Sequence, residues 1–288
     1  GIAITPAGVQ SANSLNEHGL GMKQAVAALG RLKYLATKTP EDPAARVIRE
    51  FKFGDVETFL FDDFDRDAGT EICITDMKPV VVTHSSTITS IIAPYLGARY
   101  RRFLKPGNPL LRLHISIINN DTREPTHDWT IKEEKPIYFH PSTRTNHPVI
   151  LKHPLEGDGW KAELTFGYAP QSEAEYDELG IQAPNKFHPY NVSLPKQGLD
   201  VLLHNRVILF HQLSELGIVA VRHPDYNEMR GEIDLKSGFS TAITKNAIIN
   251  DGHFRACVAQ VRGILKGEIP GPEGKTKKYL KQRTWPED

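Results

Sequence analysis

Ser14–Gly30 reads SLNEHGLGMKQAVAALG. Gly19 and Gly21 stand one residue apart, just ahead of Lys23, and Met22, Ala25, Val26 and Leu29 then recur at helical spacing. The spacing predicts a helix after Gly21 with Gly30 as its C-cap. Backbone N–H groups at a helix start have no intrahelical acceptor, and the helix dipole adds to their attraction for anions. Glycine lets the main chain approach phosphate oxygens closely and adopt positive φ. HGLGMK therefore has the chemistry of a cradle for the end of a triphosphate. The residues alone leave an alternative open, a tight turn before a core helix. The stretch matches neither GxxxxGK[ST] nor a GxGxxG that follows a strand.

Outward from this stretch, the chain reads as a globular α/β protein. It has 288 residues, 39% hydrophobic and 24% charged, enough apolar content for a core. The formal net charge is zero, so nucleic-acid binding would need local patches rather than a global field. Cys73 and Cys257 form no disulfide framework and no CxxC, which suits a reducing compartment. No apolar run approaches the roughly 18 residues of a membrane span, and no signal peptide is recognisable, so the expected location is the cytoplasm.

Strands are predicted over Arg31–Thr39, within Arg49–Asp63, and over Gly69–Met77, where Ile72 and Ile74 alternate with polar neighbours. Ser85 and Ser86 are candidate caps for a helix carrying Ile88, Ile91 and Ile92, with Pro94 kinking it or opening a second helix. NPLLRLHISIINN reads as a strand entering a turn. From Asp121 to Lys196 the chain is rich in Pro, His and polar residues and shows one good strand, WKAELTFGYAP. QGLDVLLHNRVILFHQL predicts a hairpin turning at His204-Asn205-Arg206, and MRGEIDL a further strand. Asp251 caps a helix with Phe254, Cys257, Val258, Val261, Ile264 and Leu265 on one face. The basic end, EGKTKKYLKQR, reads as mobile. Two α/β domains are expected, with a boundary near residue 107.

The order of these features resembles the GHKL superfamily of ATPases: gyrase, the heat-shock-ninety chaperones, histidine kinases and MutL. NEHGLGMK resembles the second glycine box at the end of the ATP lid. AGTEICITDM resembles the Gly-Thr motif before the strand under the adenine, and YLGARYRRFL the helix that closes the domain. In the second half, the HNR turn followed by ITKNAI and a final helix looks like the transducer domain of MORC-type ATPases. The resemblance implies an α/β (α+β sandwich) fold. Residues 1–107 would form a Bergerat-type ATP-binding domain, and 108–288 a transducer domain of ribosomal-protein-like fold. It implies ATP and magnesium as cofactors. Asn16, His18, Gly19, Leu20, Gly21, Met22 and Lys23 would hold the phosphates under the lid. Thr70 would sit near the base, and Lys245 would sense the γ-phosphate. It further implies a nucleotide-gated self-dimer acting on DNA, as in restriction or defence systems. A chaperone-like ATPase acting on protein clients and a catalytically silent scaffold are the rival readings. The family's acidic helix, with its catalytic Glu and magnesium-binding Asn, and its DxGxG box do not occur before Ser14. Hydrolysis is therefore expected only if those elements are supplied.

Other clusters read as ordinary surface. His140, His147 and His153 match no zinc spacing, so no metal site is expected. DDFDRD, from Asp62 to Asp67, lacks the central Gly and terminal Glu of a calcium loop and reads as a solvated hairpin turn. Arg99, Arg101 and Arg102, with Lys275, Lys277, Lys278, Lys281 and Arg283, are the basic clusters that could meet DNA phosphates.

Overall fold

The computed structural model describes residues 21–51, 57–81, 84–138, 149–242 and 245–280. The fold is mixed α/β with largely antiparallel sheets. The chain divides into two compact units, Gly1–Thr83 and His84–Asp288. This division precedes the expected boundary near 107 because the helical segment before it packs against strands of the second half, as described below.

In the first unit, α1 (Gly21–Leu29) leads directly into β1 (Arg31–Lys38). β2 (Ala45–Ile48), β3 (Phe59–Phe61) and β4 (Gly69–Thr75) complete a four-stranded sheet of order β3-β2-β1-β4, antiparallel throughout. The predicted strand within Arg49–Asp63 is thus β3 alone, and β2 falls just ahead of that window. Gly30 does not take the left-handed conformation of a glycine C-cap. Glycine is required there for a different reason: a Cβ would lie 2.5 Å from the Thr75 carbonyl oxygen. The last carbonyls of α1 are satisfied by Lys78, whose amide donates to Leu29 O at 2.8 Å and whose Nζ donates to Ala27 O at 2.5 Å. Val26, Ala36, Ala45 and Val47 are buried, whereas Ile72 is 40% exposed despite its alternating pattern.

The second unit opens with α2 (Ser85–Thr87), a π-helical turn (Ile88–Ile92) and α3 (Ala93–Arg99). The N-cap is His84 rather than Ser85 or Ser86, and the carbonyls of those serines accept from the Thr89 and Ser90 hydroxyls. The π turn ends where Pro94 opens α3. Ala93 N–H donates to Ile88 O, and the ring that cannot donate is absorbed at a helix start. β5 (His114–Ile118) and β6 (Pro125–Thr130) form a separate hairpin. β7 (Ile150–Gly157), β8 (Trp160–Tyr168), β9 (Gly198–Leu203), β10 (Arg206–Gln212) and β11 (Met229–Ser237) form the main sheet, of order β10-β9-β11-β8-β7. β11 runs parallel to β9, and the other neighbours are antiparallel. α4 (Glu173–Glu178), capped reciprocally by Ser172 and Glu175, lies in the connection after β8. β6 and β7 escaped the sequence pattern. Pro154 within β7 is tolerated because β7 is an edge strand.

The β9–β10 turn has His204 at φ 50° and Asn205 at φ 63°, the double left-handed pair that a two-residue hairpin requires. One face of the sheet is apolar: Leu199, Val201, Leu203, Leu164, Phe166 and Ile233 pack with Phe254, Cys257, Val261, Ile264 and Leu265 of α5 (Gly252–Lys266). Asp251 caps α5 by accepting from Phe254 N at 2.9 Å, and Gly267 ends it at φ 73°. The basic tail departs from expectation. Tyr279 and Leu280 are buried in this core, and both amides donate to Leu265 O, at 2.9 and 3.0 Å. An aromatic-aliphatic pair inside a lysine-rich run outweighs its neighbours once it finds a groove beside α5.

Candidate functional site

Of the residues expected to cradle phosphate, Asn16, His18, Gly19 and Leu20 lie outside the described residues. Gly21, Met22 and Lys23 are the first described residues of α1. Gly21 has no positive φ, and among the described residues nothing lies within 4 Å of where its Cβ would stand. Met22 is 39% exposed. The Lys23 ammonium lies 5.9 Å from the centre of the Phe51 ring, a cation–π distance. Thr70 stands near the start of β4, opposite Thr37, with the two hydroxyls 3.1 Å apart. The end of β4 that anchors the C-terminus of α1 is the other one, at Thr75 and beyond. Thr70 is thus engaged with β1.

Lys245 belongs to the second unit. It sits in a tight loop between β11 and α5, closed by the bridge between Thr241 and Ile248 and by Ala242 N donating to Ala247 O at 2.9 Å. Its φ is 54°, and its amide donates to Ala242 O at 2.8 Å. A non-glycine residue in the left-handed region is uncommon and fixes the direction in which its side chain leaves the loop.

The arginines read as a basic patch are largely neutralised. Arg101 is 2% exposed. Its Nη1 lies 3.1 Å from Asp200 Oδ2 and 2.8 Å from the Tyr190 hydroxyl, and its Nε lies 3.0 Å from Glu232 Oε1. Tyr190 also donates to Asp200, at 2.7 Å. Arg102 pairs with Asp234 at 2.6 Å, and Arg99 donates to Val207 O at 2.8 Å while stacking over Phe210. Burial opposes the charge on Arg101, but Tyr190, Asp200 and Glu232 outweigh it and hold its pKa above the usual range. These residues fasten α3 and its extension to the second face of the sheet. A DNA-facing role for Arg101 is therefore corrected: a guanidinium held this way is not available to phosphates. Of the C-terminal cations, Lys275 pairs with Glu273, and Lys281 and Arg283 lie outside the described residues.

Sequence reasoning missed this network, although the signal was present. MRGEIDLK alternates Met229, Gly231, Ile233 and Leu235 with Arg230, Glu232, Asp234 and Lys236. The period of two puts all four charges on one face of β11. Burial lowers the pKa of Arg230 to about 10, while its guanidinium donates to the carbonyls of Met229, Asn227 and Asn191. Asp200 also accepts from the His211 amide at 3.2 Å.

His153, the one candidate metal histidine among the described residues, lies in β7 with its pKa lowered by burial. No group of three potential metal ligands stands together among the described residues, and no helix among them is long and apolar enough to cross a membrane.

No family model matches the chain, and no curated protein matches it. Among solved structures, the chain is similar to the ATP-binding domain of topoisomerase IV from Francisella tularensis, determined in complex with a small-molecule inhibitor. Identity is 13%, covering 90% of this chain and 68% of that one, with a TM-score of 0.34. A likeness at that score does not establish a shared fold.

Proposed function

We propose that the chain is an ATP-binding module of the GHKL type, with the stretch around Gly21 and Lys23 as part of its phosphate cradle and the loop carrying Lys245 as part of a transducer domain. The observation that carries this reading is the setting of Gly21. A glycine is ordinarily needed for positive φ or for close packing, and among the described residues Gly21 shows neither. Backbone that no described atom crowds, beside a lysine, is what a triphosphate needs. Magnesium would arrive bound to the phosphates. ATP would act as a switch: the nucleotide favours association of two protomers. Titration of the protein with a magnesium-bound, non-hydrolysable ATP analogue tests the reading. Saturable binding supports it. Absence of binding removes it.

A further inference from the structure

The second face of the main sheet is charged, and beyond the Arg101 network it opens into a cavity of about 840 Å³. That volume lies within the range of small-molecule sites. Six cationic side chains and four carboxylates line it. The carboxylates are already committed: Glu232 to Arg101, Asp234 to Arg102 and Lys236, Glu163 to Lys236 at 3.0 Å, and Glu133 to Lys135 at 3.9 Å. Lys105 and Lys152 also line the cavity, and neither has a carboxylate at salt-bridge distance among the described residues. The cavity therefore carries an excess of two positive charges.

Lys152 is placed there by an irregular backbone. It has φ 48°, in a stretch of β7 where the register against β8 shifts between Ile150 and His153. Bulges of this kind re-aim a side chain. The Thr165 hydroxyl accepts from the Lys152 amide at 3.3 Å and holds the turn. The remaining wall is apolar. Ile137 lines it, and Leu179 and Ile181, which also line it, are 37% and 38% exposed. Two uncompensated lysines match a dianion, and a phosphate monoester carries about −1.5 to −2 at neutral pH.

We infer that this cavity binds a small phosphate monoester, with the phosphate drawn to the uncompensated charge of Lys105 and Lys152 and an apolar body against Ile137, Leu179 and Ile181. The site lies wholly within the second unit and is separate from the glycine cradle. Calorimetric titration of the full chain with phenyl phosphate and, separately, inorganic phosphate tests it. Saturable phenyl phosphate binding is expected, about tenfold tighter than inorganic phosphate. Lys105→Gln and Lys152→Gln should each weaken it about tenfold, whereas Lys266→Gln, at the end of α5, should leave it unchanged. Both replaced lysines are exposed, so the variants fold, as circular dichroism will verify. Three results would overturn the proposal: no saturable binding, equal affinity for inorganic phosphate, or weakening by Lys266→Gln as large as by the other two. Gly21→Val should have no effect on phenyl phosphate, which separates this site from the nucleotide reading.

Discussion

Arg101 and Asp200 face each other at 3.1 Å, from Nη1 to Oδ2, with side chains 3% and 2% exposed. The pair joins the segment after α3 to the middle of the main sheet, with Tyr190 donating to the same carboxylate oxygen. Breaking a buried pair leaves an uncompensated charge out of water, so Asp200→Ala should destabilise the second unit by about 3–5 kcal/mol. A lowered urea midpoint at unchanged slope would register that loss. A change under about 1 kcal/mol would mean that the guanidinium finds water and the pair is not structural.

Gly30 and Gly21 should respond in opposite ways to a methyl group. Gly30→Ala places a Cβ against the Thr75 carbonyl and should cost about 1–3 kcal/mol, because backbone cannot yield as a side-chain tip does. Gly21→Ala meets nothing within 4 Å among the described residues and should be neutral or stabilising by up to about 1 kcal/mol. Thermal denaturation of the two variants side by side checks the contrast.

Two buried groups in the second unit titrate against each other. Burial pushes the Glu228 carboxyl up to about 7, with Arg230 partly opposing, and pushes the His211 imidazole down to about 4 against the pull of Asp200. For Glu228 the unfolded chain releases its proton first, so stability falls as pH rises from 4.5 to about 7. For His211 the unfolded chain takes up its proton first, so stability falls as pH drops from 6.5 to about 4. Where those ranges overlap the two slopes oppose. Glu228→Gln should therefore gain about 1–2 kcal/mol over the unaltered protein near pH 8, after allowance for solvent screening. It should gain nothing near pH 4. An equal effect at both pH values would show that Glu228 does not titrate as described.

The two cysteines should differ in reactivity. Burial raises the Cys257 thiol to about 12 inside the α5 core, whereas Cys73 is only half-buried on β4. Brief alkylation of the native protein should add one label, at Cys73, and denaturation should expose the second. Equal native rates would contradict the packing of α5.

Where local signals agreed, the sequence was enough. The 3.6-residue stripe and Asp251 define α5, and His204-Asn205 between apolar runs defines the β9–β10 hairpin. It was less informative where partners are distant. β7 carries a proline that only an edge strand permits, and β2 is a four-residue strand fixed by pairing on both sides. The charges of YRRFL looked solvent-facing because their carboxylates, Asp200, Glu232 and Asp234, come from strands far along the chain. Of the candidate cradle, the helix and its lysine were legible. The setting of Gly21, with open space and no positive φ, needed coordinates.

The nucleotide reading rests on Gly21, and one substitution tests it most directly. Gly21→Val meets no described atom, so the fold should persist while the valine side chain fills the space beside the Gly21 backbone. Calorimetric titration with a magnesium-bound, non-hydrolysable ATP analogue should show saturable binding to the unaltered protein and at least a hundredfold loss, about 2.7 kcal/mol or more, in the variant. Equal binding by both would contradict the cradle and leave Gly21 as an ordinary helix start.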